Sequence, residues 1–295
     1  MDRRGCRSIA FALACCAAGC ASGSSASDDD DDPTPDARTV DATPAVDAPI
    51  VVIDAQAQTD AATTDAATTD GAIDAGTTTA VIFANTQTAL YRIDPVTYAA
   101  ALVGSFGWPA SVGSDAMADI AIAPDGAIIG ASNARLYRCS ATTAACTLVG
   151  ALAQTVNALG YAPPGTVEPG VDTLVGAKSD GALYRIDTTT AAMTSLGHFS
   201  TGHASSGDVA YVAGSLVAAI NPGGTNDSLA RINATTGATT LVGPTSRPWL
   251  WGLAAAGPTL LGFTLDRTIV TINTTTGATA VVATGAVDWY GAAGR

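Results

Sequence analysis

Charge and aromatic rings are scarce in this chain. Only 13% of its 295 residues are Asp, Glu, Lys or Arg, against about 25% in an average globular protein. Phe, Tyr and Trp together make up 5%. No apolar run approaches the ~20 residues that cross a bilayer as a helix, which excludes a helical membrane bundle. Cations are outnumbered, 13 Lys and Arg against 26 Asp and Glu, for a net charge of −13. A nucleic-acid binder needs a basic face to displace counterions from phosphates, and no such face is on offer. Nucleophile-elbow, phosphate-loop, zinc and haem-attachment motifs are all missing, so no catalytic constellation is legible. What the chain has in quantity is Ala, the main source of its 47% hydrophobic content.

The acidity belongs to one segment. Ala21 to Ala80 holds thirteen Asp against the single Arg38, and from Val81 onward the balance is only −3. Before that segment, Arg3, Arg4 and Arg7 precede the short apolar stretch Ser8–Ala18. A basic start followed by a run too short to span is the pattern of an export signal. Ala17-Ala18-Gly19-Cys20 follows and resembles the bacterial lipoprotein cleavage box. That resemblance implies a mature chain beginning at a lipidated Cys20. The alternative is an ordinary secretory signal cut at a nearby small residue. Cysteine arithmetic favours the lipid. Cys6, Cys15 and Cys16 leave with residues 1–20; acylation of Cys20 then leaves Cys139 and Cys146 as one pair, with no odd thiol. Ala21 after the Cys, by resemblance to the sorting rule of enteric bacteria, implies the outer membrane or cell surface.

Residues 21–79 read as a tether. Asp28–Asp32 is an unbroken carboxylate run; Pro33, Pro35, Pro44 and Pro49 come next, then a stretch of Thr, Asp and Ala. With no aromatic residue and little to bury, such a chain is expected to stay disordered. Self-repulsion extends it, which suits a spacer that lifts a domain off a membrane.

From residue 80 the chain repeats. Leu90-Tyr91-Arg92-Ile93-Asp94 recurs as Leu136-Tyr137-Arg138-Cys139-Ser140, Leu183-Tyr184-Arg185-Ile186-Asp187, Leu229-Ala230-Arg231-Ile232-Asn233 and Ile269-Val270-Thr271-Ile272-Asn273. Asp94, Ser140, Asp187, Asn233 and Asn273 each open a turn, with Thr97, Thr143, Thr190, Thr236 and Thr276 three residues on. A small residue or Gly usually follows, suited to positive φ in a hairpin loop. A further apolar strand then ends in Leu102-Val103-Gly104 and its counterparts. Two short strands precede each block, making four strands every ~40–45 residues, the period of a propeller blade. Val81-Ile82-Phe83 begins the first repeat without an innermost strand, and Val287–Gly291 is an innermost strand without a blade. The two chain ends are expected to pair and close a five-bladed ring, removing an exposed edge.

These blades resemble those of bacterial extracellular propeller proteins that read LYRID-x-x-TG-x-x-T-LVG, relatives of the WD-repeat-like and lactonase-like propellers. The resemblance covers residues 80–295 and implies an all-β, five-bladed β-propeller. It is nearly silent on function, because propellers host unrelated activities.

Within that framework Cys139 and Cys146 fall on neighbouring strands of one hairpin, whose register can place them opposite each other. A disulfide is then possible in an exported protein; two buried free thiols are the alternative. The repeated Arg column (Arg92, Arg138, Arg185, Arg231) is expected to pack or pair. Asp119, Asn157, Asp208 and Asp288 recur where inner strands begin, and there they can either ring the channel mouth as Ca²⁺ ligands or cap strand ends. Trp108, Trp249, Trp251 and Trp289, with His198 and His203, lie in or beside the outer-to-inner connections. Loops on a rigid scaffold commonly carry binding, and aromatic residues on a polar rim suit a sugar ring or a peptide. His203 and His198 with Asp208 are a weaker acid–base possibility. The expected activity is ligand or protein binding by a monomer tied to a membrane only through its lipid. The alternative is a hydrolase of the lactonase-like or glycosidase-like kind, using a metal or carboxylates at the channel mouth.

Overall fold

The structure, a computed structural model, describes residues 80–295. The export segment, Cys20 and the acidic tether lie outside the described residues. Among the described residues there is no helix. Twenty strands form five four-stranded antiparallel sheets arranged as a propeller.

The first sheet holds β1 (Ile82–Asn85), β2 (Ala89–Ile93) and β3 (Ala100–Ser105). The second runs through β4 (Met117–Ile122), β5 (Ile128–Ser132), β6 (Arg135–Cys139) and β7 (Cys146–Ala151). Then come β8 (Ala158–Ala162), β9 (Thr173–Ala177), β10 (Ala182–Ile186) and β11 (Met193–His198). The fourth has β12 (Ala204–Val212), β13 (Ser215–Asn221), β14 (Ser228–Ile232) and β15 (Thr239–Pro244). The fifth has β16 (Leu250–Ala256), β17 (Thr259–Thr264), β18 (Thr268–Ile272) and β19 (Thr279–Thr284). The last strand, β20 (Gly291–Gly294), fills the innermost slot of the first sheet, in the order β20-β1-β2-β3. Ile82 pairs with Gly294 and Asn85 with Gly291, so the ring is closed by its two ends.

The closing strand sits a few residues later than the sequence suggests. Trp289 is buried in the seam, edge-on to Tyr91 at 5.4 Å and Phe263 at 5.7 Å. Asp288 points outward to Arg267. Ladder pairing therefore begins only at Tyr290, whose N–H donates to Asn85.

Each hydrophobic cluster joins one pair of neighbouring blades. Phe83 and Leu90 of the first pack with Ile120 and Tyr137 of the second. Ile82 and Ile93 of the first pack with Leu261 and Phe263 of the fifth. This alternation of buried strand faces is what makes the repeat unit cohesive only as a ring.

The recurring turn has one construction in every blade. Asp94 Oδ1 accepts the N–H groups of Val96 and Thr97. Ser140, Asp187, Asn233 and Asn273 do the same for their own turns. Tyr98, Ala144, Ala191, Gly237 and Gly277 all take positive φ, between 57° and 76°. The glycine ending the outer strand then seats against the next blade's turn: a Cβ on Gly197 would collide with the Thr236 carbonyl.

Cys139 lies opposite Cys146 in the β6–β7 ladder and the two form a disulfide, with Cα atoms 4.0 Å apart. Three of the four Arg column residues are tied into the scaffold, while Arg92 is exposed. Arg138 pairs with Asp125 and Arg185 with Glu168, both within their own blades, while Arg231 donates to the Thr274 carbonyl of the next.

Candidate functional site

The five inner strands β4, β8, β12, β16 and β20 line a narrow axis. They approach closely: a Cβ on Gly291 would collide with the Asp119 carboxylate. Two carboxyl groups occupy the centre. Asp119 and Asp208 are both 0% exposed and hydrogen-bond to each other. Asp119 accepts N–H groups from Ile120 at 2.8 Å and Leu159 at 2.7 Å, and from Ala292. Asp208 accepts from Val209 at 2.6 Å and Leu253 at 2.7 Å. Each inner strand thus gives one N–H to the pair. Backbone donors buried on the axis have no ladder partner on that side, so the carboxyls satisfy them.

Burial of two neighbouring carboxyls favours a proton on the pair. Burial pushes the Asp119 carboxyl up to about 8, while the hydrogen bond from Asp208 and the three backbone N–H groups restrain the rise. Asp208 is raised well above the ordinary range by burial and then by the neighbouring Asp119 charge. The two titrate as a unit.

This plug separates two funnels of about 340 Å³ each. The lower one is walled by the later halves of the inner strands, with Tyr161, Tyr211 and Leu253. Arg295 reaches Asp172 at its rim, and Val81 and Arg295 exchange both backbone hydrogen bonds there. The upper one opens on the face of the outer-to-inner connections. Gln87, Asn133, Asn157, Ser206, Trp251 and Tyr290 line it, and none of its lining residues is an acid or a base of the Asp, Glu, Lys, Arg or His kind. Trp251 and Tyr290 meet with ring centroids 4.9 Å apart. Asn157 Nδ2 makes only long contacts, 3.4–3.5 Å, to Ser205 and Gly207, and its buried Oδ1 has no partner.

The residues singled out from sequence separate into distinct environments. Asp119 and Asp208 are brought together. Asn157 stands on the upper funnel wall, and Asp288 is exposed outside, 2.7 Å from Arg267. The four oxygen donors weighed for Ca²⁺ therefore do not converge, and among the described residues no cluster of three or more His, Cys, Asp or Glu is placed to hold a metal. His198 Nδ1 meets the Phe199 carbonyl at 2.9 Å and His203 Nδ1 the Thr239 hydroxyl at 2.7 Å, so neither joins Asp208 on the axis. Trp108 packs between Phe106 and Tyr137 at 5.4 and 5.0 Å, and Trp289 belongs to the seam. Trp251 lines the upper funnel. Trp249, two residues earlier, is 53% exposed and held at φ 54°. A bulky side chain in the left-handed region is strained, and here it displays an indole to solvent.

Gln87, Asn133, Ser206 and Tyr290 were not singled out from sequence. They are isolated neutral residues on three blades, Gln87 and Tyr290 sharing the first from opposite ends of the sequence, and only ring closure assembles them.

No protein-family model matches the chain, and neither does any curated protein. Among solved structures, the chain is similar to one titled "Crystal structure of Nidogen/Laminin Complex", with a TM-score of 0.47 and 10% identity over 73% of this chain and 98% of that one. At that identity nothing about the other protein's partners transfers to this chain.

Proposed function

We propose that this chain is an exported, lipid-anchored binding module at the cell surface that presents the upper funnel to its ligand. The carrying observation is the division of labour along the axis. The two carboxyls that would be candidates for chemistry are spent on five backbone N–H groups, while the uncharged aromatic and amide groups above them remain open. Surface loops on a rigid ring are suited to recognition. The Cys139–Cys146 disulfide supports an oxidising compartment. The described chain enters the ring at Val81, paired with Arg295 on the side opposite the upper funnel.

The test is a thermal-shift panel on the full chain with divalent cations, neutral and charged oligosaccharides, and peptides. A ligand at about 100 times its Kd adds roughly 2.7 kcal/mol to stability. The expected result is a saturable rise in Tm with one ligand class, lost in Trp251→Ala. A panel without any shift, or a shift indifferent to Trp251, would overturn the reading; turnover of a panel member would favour a hydrolase.

A further inference from the structure

We propose that the upper funnel is a subsite for the uncharged, hydroxyl-bearing end of a glycan, an assignment that rests on the binding-module reading above. Four observations converge on this ligand chemistry.

The first is the charge of the wall. An anionic or cationic ligand would meet no counter-ion in the funnel, because no acidic or basic side chain lines it. The second is hydrogen-bonding capacity left over. Four buried side-chain polar atoms among the described residues have no hydrogen-bond partner by geometry, and one of them, Asn157 Oδ1, sits on the wall of this funnel. Ser206 Oγ is turned toward the Asp227 carboxyl, which it helps to keep ionised. Asn157 Oδ1 is an acceptor, so its missing partner is a donor; a sugar hydroxyl is a donor and can accept from a neighbouring group as well.

The third is the aromatic wall. Trp251 lines the funnel beside Tyr290, and an indole offers a flat apolar surface to the C–H face of a pyranose. Trp249, two residues earlier in the chain, is exposed. The fourth is size. A funnel of about 340 Å³ lies at the small end of ligand pockets, enough for a terminal unit but not for a protein surface. A peptide side chain meets the size limit too. However, it brings a single functional group, whereas the wall offers amides and hydroxyls from four blades around one ring.

The experiment titrates the full chain with neutral trisaccharides (maltotriose, cellotriose and tri-N-acetylchitotriose), with trigalacturonate as the charged counterpart and with a neutral tetrapeptide set. Tryptophan fluorescence and Tm are read together. Trp108 and Trp289 are packed between blades, so ligand-dependent change is expected from Trp249 and Trp251. The proposal expects a saturable fluorescence change with at least one neutral trisaccharide. Asn157→Ala, which removes the unpartnered acceptor, should weaken it tenfold or more. Trp251→Phe, chosen because it keeps a ring against Tyr290, should weaken it several-fold with Tm unchanged in the absence of sugar. Trigalacturonate binding as well as the neutral sugars would overturn the proposal. So would sugar binding that ignores both substitutions. Binding of peptides alone, still dependent on Trp251, would overturn it while leaving the binding-module reading intact; silence from every probe would sink both.

Discussion

Asp119 and Asp208 show how a residue type that signals chemistry in sequence becomes scaffold. A carboxyl on the axis has two oxygens and meets backbone donors arriving from neighbouring blades. Asp119 accepts three of them and Asp208 two. Removing one member leaves buried donors without an acceptor, which costs about 1–3 kcal/mol. Asp119→Ala should therefore lower the chemical-denaturation free energy by about that much. Asp119→Asn should cost less, because the amide still accepts on one side but turns an N–H toward a donor on the other. An unchanged midpoint in Asp119→Ala would show that the inner strands do not depend on the plug.

At the scale of elements, the hairpin between the third and fourth strands is the unit that repeats most faithfully. Its opener caps two N–H groups, its fifth residue takes positive φ, and the glycine of the preceding blade seats against it. In the second blade Ser140 is the opener and the Cys139–Cys146 disulfide closes the same hairpin. Cross-linking across a sequence separation of 7 restricts the unfolded chain by about 2 kcal/mol. Cys139→Ser with Cys146→Ser should thus lower Tm by roughly 4–8 °C in a domain of this size without preventing folding, since the turn has its own cap. Calorimetry of the double variant checks this, and an unchanged Tm would show that the cap alone sets the hairpin.

For the whole molecule the balance of carboxyls sets the pH response. Asp119 and Asp208 bind protons more tightly when folded than the ordinary Asp value of about 3.9. Their contribution to stability is complete below that value and is lost as pH rises toward about 8. The turn carboxylates Asp94 and Asp187 act in the opposite sense. Backbone hydrogen bonds hold both below the usual range, so their contribution is present above the unfolded value and lost below it. Stability should be highest near about pH 4, where the two opposing sets balance, and decline from there toward about pH 8. Tm against pH is the measurement. Asp208→Asn should flatten the upper limb, and a curve rising from pH 5 to 9 would contradict a protonated axial pair.

Local chemistry was enough to read the ring from the repeat. The LYRID-type blocks, the polar turn openers and the positive-φ positions are short-range features, and each recurs with its neighbours in register. The opposition of Cys139 and Cys146 follows from that register, and the closure follows from one missing and one surplus inner strand. The axis was only half legible. Of four residues placed at inner-strand starts, Asp119 and Asp208 meet there, while Asn157 and Asp288 fall one and three residues before their strands begin. The reason is in the inner strands themselves. β4, β12 and β16 carry register shifts at Met117/Asp119, Ser205/Val209 and Leu250/Gly252, and β8 pairs without one. A bulge changes which side chain faces inward without changing the sequence spacing. The upper funnel was decided by tertiary structure alone, because its wall combines isolated residues from different blades. No local pattern marks them, and the curvature that brings them together exists only once the first and last strands have paired.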